Sequence, residues 1–397
     1  MEQMSQDDSL GYFDWAATSP PDQDILREAL ELSTDCWANP SSLHVEGKRA
    51  RSALEDARGR AACALGVKPD TLVFTSGGTE SDIVVLLSVL LREAKGSVVL
   101  GATEHPAVLQ TAKTLSHCGY EVLLVPPDKR GIITAEAVAS ALRGDTALVS
   151  VMAVNNETGA IQPLDRIAAA IDESCQGRRR PLFHSDCVQA AGKIPLDLAH
   201  WGVDAASFSA HKIKGPRGIG AVYLSRTVQT PFAAGGQERG IRGGTENLFG
   251  AHALSLCLQK YLVRQDNPAA WQRYEAQKDI TRGFIRGLLS IKGASLIPEC
   301  RADEGQEGCY SPWIVQATVR GVPGQVMQRA LDEMGFCVST GSACSSGKGS
   351  HHVLDAMGLA RDQKETSFRV SFGFDTTADD ASRLLEAIDQ VARRLAP

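Results

Sequence analysis

The sequence has no surplus of basic residues, no apolar run of membrane length and no paired spacing of cysteines. Its 41 Lys and Arg stand against 47 Asp and Glu, a net charge of −6 with a pI near 5.9, which argues against direct nucleic-acid or anionic-membrane partners. The longest apolar run, "IVVLLSVLL" from Ile83 to Leu91, contains a serine and falls well short of the roughly 20 residues of a spanning helix. At the start, "MEQMSQDDSLGYF" is polar and acidic, where a signal peptide is basic and then apolar. The ten cysteines include no C-x-x-C. Without an export signal they read as reduced thiols, mostly buried as small hydrophobes, and the expected location is cytoplasmic. No internal repeat or long low-complexity segment is present, and no metal site is expected.

What is present is ordinary globular material. With 397 residues, 43% hydrophobic and 22% charged, the chain suits two domains around a large core. From about Leu72 to Leu224, short β-rich runs ("TLVFT", "GSVVLG", "YEVLLV", "ALVSVMAV", "PLFHS", "AASFSA", "IGAVYL") alternate with helix-period segments such as "HPAVLQTAKTLSH" and "PLDRIAAAIDESC". That alternation predicts an α/β fold with a mostly parallel sheet and helices on both faces. Ahead of it, Ala50, Leu54, Ala57, Ala61 and Leu65 recur at helical spacing. After Gly250 the pattern predicts a long helical stretch through Leu289, then the strand "WIVQATVR", the helix "GQVMQRALDEMG", the strand "SFRVSF" and a last helix from Thr377 with Asp380 in capping-box position. This order fits a second, smaller α+β domain. The expected division is a large domain at 16–261 and a small one made of 1–15 and 262–397.

In an open parallel sheet, ligands bind beyond the carboxyl ends of the strands, and several strand ends here carry polar turns. "FTSGGTESD" offers an anion site at a helix N-terminus with the Thr79 hydroxyl, or an ordinary capped helix. "FHSDCVQ" sets Asp186 past a strand with Gln189 three residues on, suited to a cationic ring nitrogen and a ring oxygen, or to a plain N-cap. In "SFSAHKIKGPRGIG", Lys212 could form a Schiff base with an aldehyde cofactor while Ser209 and His211 bind its phosphate. Lys214 is a rival on spacing. His105 in "ATEHPAVL" could stack on a ring and move protons. Asn155 and Asn156 in "VNNETG" are turn formers or substrate contacts, and Arg242 and Thr245 in "GGQERGIRGGTEN" could reach a phosphate or an acidic group. Together these form the inventory needed to bind pyridoxal phosphate.

On these motifs the chain resembles the cysteine desulfurases of the nitrogen-fixation and iron–sulfur-cluster type, pyridoxal-phosphate enzymes of the fold-type I aminotransferase superfamily. The likeness runs collinearly from "YFDWAATSPP" through "NPSSLHVEG", "FTSGGTESD", "TEHPAVL", "VNNETG", "SDCVQAAGKIPLDL", "SFSAHKIKGPRGIGAVYL" and "ERGIRGGTEN" to "STGSAC" and "SFRVSFG". The resemblance implies that Lys212, not Lys214, holds the cofactor. It implies that Asp186 pairs with the pyridine nitrogen, Gln189 with the phenolic oxygen, and that His105 stacks on the ring. Gly78, Thr79, Ser209 and His211 would hold the phosphate, with Thr245 reaching it from the partner subunit of a homodimer. Asn156 and Arg369 would contact the substrate, L-cysteine, and Cys344 would be the nucleophile that carries sulfur to an acceptor protein, an iron–sulfur scaffold or a tRNA-thiolation enzyme.

Two stretches depart from the family pattern. After Cys344 the chain reads "SSGKGSHHVLDAMG" where many relatives have a Ser-Leu-Glu-Pro-Ser-type run, and Phe374-Asp375 replaces a frequent Arg-Phe. Lys348, His351 and His352 read as solubilising loop residues, with activation of the Cys344 thiol as the other use. A selenocysteine lyase or related β-eliminating enzyme is the alternative on the same scaffold, and a sulfur-relay component the alternative of another class. A phosphate-loop NTPase is excluded because Gly349 follows Lys348 where Ser or Thr is needed.

Overall fold

A computed structural model describes residues 11–341 and 351–395. Seven strands form the main sheet: β1 (Leu72–Thr75), β2 (Ser97–Gly101), β3 (Glu121–Val125), β4 (Leu148–Ser150), β5 (Leu182–Asp186), β6 (Ala205–Ser209) and β7 (Gly220–Leu224). Their order is β1-β7-β6-β5-β4-β2-β3. Only β7 runs antiparallel to its neighbours; the pairs from β6 across to β3 are parallel. The expected α/β class with a mostly parallel sheet is the one observed.

The near-continuous apolar runs have a simple cause: helices cover both faces, so both sets of alternating side chains are buried. Val98 and Leu100 of β2 join Val84, Val85, Val108 and Leu115 from helices Gly78–Leu87 and Pro106–His117 on one face. Val99, between them, joins the cluster on the other face with Phe183, Phe208 and helices Val45–Leu65, Leu164–Ser174 and Leu248–Tyr261. At the edge, β3 is partly exposed and starts with a charged residue, Glu121, which blunts an open edge.

That second cluster continues into a smaller antiparallel sheet of Ala294–Ile297, Ile314–Val319 and Ser367–Ser371 through Ile314, Phe368 and Phe372. Three helices, Pro268–Ser290, Gly324–Glu333 and Ala378–Leu395, belong to this part. The last begins as its sequence indicates: Thr377 N donates to Asp380 Oδ2 at 2.9 Å and Asp380 N to Thr377 Oγ1 at 3.1 Å. One expectation is corrected. The helical stretch after Gly250 is two helices, because Pro268 opens a new one with Asn267 accepting from Ala270 N at 3.3 Å. No helix among the described residues is long and apolar enough to cross a membrane.

A strap joins the two sheets. Gly11–Tyr12 pairs with Phe336–Cys337, Ser371 N donates to Phe13 O at 2.8 Å, and Ala16 N donates to Ser371 Oγ at 2.9 Å. Trp15 is seated directly on Gly373, where an added Cβ would stand 1.7 Å from the indole. Gly373→Ala should therefore push Trp15 off its seat and cost about 1–3 kcal/mol as overpacking. Urea and thermal unfolding will check it; an unchanged midpoint would contradict this packing.

Candidate active site

The carboxyl ends of the parallel strands converge on a cavity of about 220 Å³. Asp186 ends β5 and Ser209 ends β6; His211 and Lys212 occupy the helical turn after β6. Helix Gly78–Leu87 starts after β1 and supplies Gly78 and Thr79, while His105 caps helix Pro106–His117 after β2. Asn156 and Gln189 come from the turns after β4 and β5, and Arg369 comes from the small sheet. All ten line this one cavity.

The two lysine candidates separate. Lys212 Nζ donates to Ala16 O and Ala17 O, both at 2.6 Å, on the wall of the cavity. Lys214 is outside it: its backbone is left-handed (φ 63), and its Nζ pairs with Asp375 and lies 5.9 Å over the Trp15 ring. The asparagines separate too. Asn155 Oδ1 accepts from Glu157 N and Thr158 N at 3.0 and 2.9 Å, the work of a turn former, and Asn156 faces the cavity.

Charge inside the site is heavily desolvated. Burial raises the pKa of Asp186, and His105 and Lys212 pull it back. Its Oδ1 accepts from Val188 N at 2.9 Å. Burial pushes Asp82 and Glu104 well above the carboxylate range, and the charge of Asp186 pushes both further. Three carboxyls this close cannot all ionise. The one with a cation in range is Asp186, near Lys212, so the negative charge collects there. Burial lowers His105, and Lys212 and His352 lower it further against the opposing pull of Asp186. Since His105 Nδ1 accepts from Ala107 N at 3.2 Å, the ring is neutral with its proton on Nε2. Burial, then Lys212, brings His211 down to about 4.

Arg369 is 1% exposed. Its Nη1 donates to Asn156 O at 2.8 Å and its Nη2 to Asp14 Oδ1 at 2.7 Å, while its buried Nε has no partner among the described residues. An unspent N–H on a desolvated guanidinium suits a carboxylate.

These residues fit pyridoxal phosphate. A Cβ on Gly78 would stand 2.6 Å from Val188 Cγ2, so the turn needs glycine to bring a helix N-terminus against an anion. Thr79, Ser209 and His211 surround that turn. At the other end, the raised carboxyl of Asp186 matches a cationic ring nitrogen. Among the described residues no group of His, Cys, Asp or Glu is arranged to hold a metal.

Three sequence candidates are not among these ten: Thr245, Cys344 and Lys348. Thr245 is exposed and does not line the cavity of its own chain. Cys344 and Lys348 lie outside the described residues, but the residues flanking that segment meet the site. Ser339 N donates to Arg369 O at 3.1 Å and Arg369 N to Ser339 O at 2.6 Å. His352, read from sequence as a solubilising residue, is half-buried with Nε2 3.0 Å from Glu104 O. Sequence reasoning also missed Ala16 and Ala17, whose carbonyls meet Lys212, and Lys193, whose Nζ donates to Gln189 Oε1 at 2.5 Å. A backbone carbonyl leaves no residue-type signal; Lys193 stands four residues after Gln189 and could have been found by that spacing.

Behind Asp186, His184 contacts Ser150 Oγ through Nδ1 at 2.8 Å and Ser207 Oγ through Nε2 at 2.9 Å, and burial lowers its pKa to about 3. Unfolded, a histidine titrates near about 6.5. Between those values only the unfolded chain takes the proton, so this group destabilises the fold progressively as pH falls from about 6.5 toward 3, by up to about 1.4 kcal/mol per pH unit. His184→Asn should show a shallower loss in urea unfolding between pH 7 and 5; parallel profiles would contradict a neutral buried ring.

The class-V aminotransferase family pattern matches residues 11–384. The chain is 35% identical to a cysteine desulfurase of Nostoc sp. over 391 residues, covering 98% of this chain and 94% of that one. It is 34% identical over 390 residues to the putative cysteine desulfurase IscS 1 of Bacillus subtilis, covering 97% and 99%. Among solved structures, a NifS-like protein superposes with a TM-score of 0.86 at 31% identity, covering 97% of this chain and 99% of that one. SspA in complex with cysteine superposes at 0.77 with 28% identity, covering 91% and 98%. Likeness over nearly the whole chain means that this chain belongs to the class-V aminotransferase family and, within it, to the cysteine desulfurases.

Proposed function

We propose that this enzyme binds pyridoxal phosphate and moves sulfur from L-cysteine to Cys344 as a persulfide, releasing L-alanine. The observation that supports it most is the meeting of Lys212, Asp186 and Arg369, three charged groups from two sheets, in one cavity. The bound cofactor supplies an electron sink for the substrate carbons. Asp186 would hold the cationic ring nitrogen, and Gly78, Thr79, Ser209 and His211 would hold the phosphate. Arg369 takes the substrate carboxylate on its free Nε edge, with Asn156 alongside. Lys212 Nζ removes the Cα proton, assisted by His105.

The Cys344 thiolate then attacks the substrate sulfur. A sulfur–sulfur bond forms, the Cβ–sulfur bond breaks, and its electron pair stays with the carbon fragment, which is protonated to alanine. No external oxidant is required. The same reading makes the protein a cytoplasmic homodimer in which Thr245 serves the partner's phosphate, with an iron–sulfur scaffold or tRNA-thiolation enzyme as acceptor and neither nucleic acid nor membrane as direct partner. It also takes 16–261 as the cofactor-binding domain, and 1–15 with 262–397 as the smaller domain carrying the Cys344 loop.

Mass spectrometry after cysteine treatment tests it: one added sulfur atom should sit on Cys344 and move to an added acceptor. Cys344→Ala should keep its yellow colour and bind cysteine yet lose about two orders of magnitude or more in sulfide release. Normal turnover by that variant would sink the nucleophile assignment. Undiminished activity of the variant on selenocysteine alone would favour a selenocysteine lyase, since a carbon–selenium bond breaks with less help. Lys212→Ala should lose cofactor trapping by borohydride, and retained trapping would point to Lys214.

A further inference from the structure

Two residues outside the cavity hold the glycine-rich loop Gly235 to Asn247. Arg58, on helix Val45–Leu65, grips Glu238 through both guanidinium nitrogens, Nη1 to Oε2 at 2.8 Å and Nη2 to Oε1 at 2.7 Å. Their side chains are 3% and 1% exposed, so the pair is fully desolvated. Glu238 Oε2 also accepts from Phe74 N at 2.6 Å, and Arg58 Nη1 donates to Leu72 O at 3.0 Å. One ion pair thus ties a helix, the edge strand β1 and the loop together.

The loop backbone shows that this tie bears strain. Glu238 and Arg239 both adopt left-handed conformations, φ 42 and φ 60, which residues with a side chain hold only when their surroundings impose them. A second tether follows: Arg242 Nε donates to Glu80 Oε1 at 3.3 Å, and Glu80 is next to Thr79 in the phosphate turn. Past both tethers the loop exposes Thr245, away from the cavity of its own chain. Among the described residues, the hydrogen-bond partners of Arg58 and Glu238 do not include the residues that line the cavity.

We propose that the Arg58–Glu238 pair is a positioning device acting across the dimer: it sets the loop from which Thr245 reaches the phosphate in the partner's site. This rests on the reading above of a homodimer that binds pyridoxal phosphate. A local structural role and a positioning role differ in which subunit suffers. Weakening the pair locally would harm the pocket of the altered chain, whereas the positioning role harms the pocket of the unaltered one.

Two heterodimers of identical composition separate these outcomes, each carrying one Lys212→Ala and one Glu238→Gln. With both changes on one chain and a wild-type partner, the pocket retaining Lys212 faces the altered loop. With the changes on different chains, the pocket retaining Lys212 faces an intact loop. Cofactor-free dimers are titrated with pyridoxal phosphate, reduced with borohydride, and the cofactor fixed on Lys212 is counted by mass spectrometry. The first arrangement should need about tenfold more cofactor for half-saturation, the worth of one well-placed bond to a charged group. With pyridoxal, which lacks the phosphate, the two should saturate alike, and Thr245→Val should reproduce the Glu238→Gln pattern. Equal saturation in both arrangements, or a loss confined to the second, would overturn the inference. If the Glu238→Gln chain does not assemble, Arg58→Lys keeps the charge, removes the fork and carries the same expectation. Light scattering on the wild type distinguishes failure of the underlying reading, because a monomer would overturn the dimer itself.

Discussion

A carboxylate buried at the end of a parallel strand is costly until a cation meets it, and Asp186 places that cost at the centre of this protein. Burial raises its pKa, and His105, the hydrogen bond from Val188 N and the charge of Lys212 pull it down. Around it, Asp82 and Glu104 are driven toward their neutral forms. The surroundings thus concentrate one negative charge in the wall of the cavity, a place suited to a cationic ring. Lys193 is buried and lowered well below the ordinary lysine range by burial and by the nearby cations Lys212 and Arg369.

The small sheet completes the wall of the cavity. Arg369 enters the cavity from a strand whose partner residues lie far away in sequence, and the strap from Gly11 to Ala17 keeps that strand in place. Ala16 and Ala17 on the same strap accept from Lys212. Trp15, between them and Gly373, therefore couples packing of the small sheet to the position of the Lys212 amine. The substitution of Phe374-Asp375 for the family's frequent Arg-Phe is absorbed here. Phe374 packs against Tyr261 and Trp313 with ring centroids 4.9 and 5.2 Å away, and Asp375 occupies Lys214.

Much of this was legible in the chain itself. The sheet followed from apolar runs of strand length, because both faces are covered, and the cap of the last helix from Thr377 and Asp380. Pro268 marked the break after Leu248–Tyr261, yet its helix-period flanks concealed it, since a proline at the first helical position resembles a tolerated interruption. His352 was misjudged because a histidine beside glycines and serines has no visible partner until residue 104 is brought against it.

The sequence by itself determined the order of strand ends and the residue types standing on them, because hydrophobic period and turn chemistry are local. It also carried the collinear family motifs, and with them the roles of Lys212, Asp186 and Cys344 as expectations. Only the tertiary structure decided which of these residues share a cavity, that Lys214 is engaged elsewhere, and that Arg58 and Glu238 hold a loop across 180 residues of chain. Those outcomes depend on desolvation and on contacts between distant segments, neither of which has a value until the chain is packed.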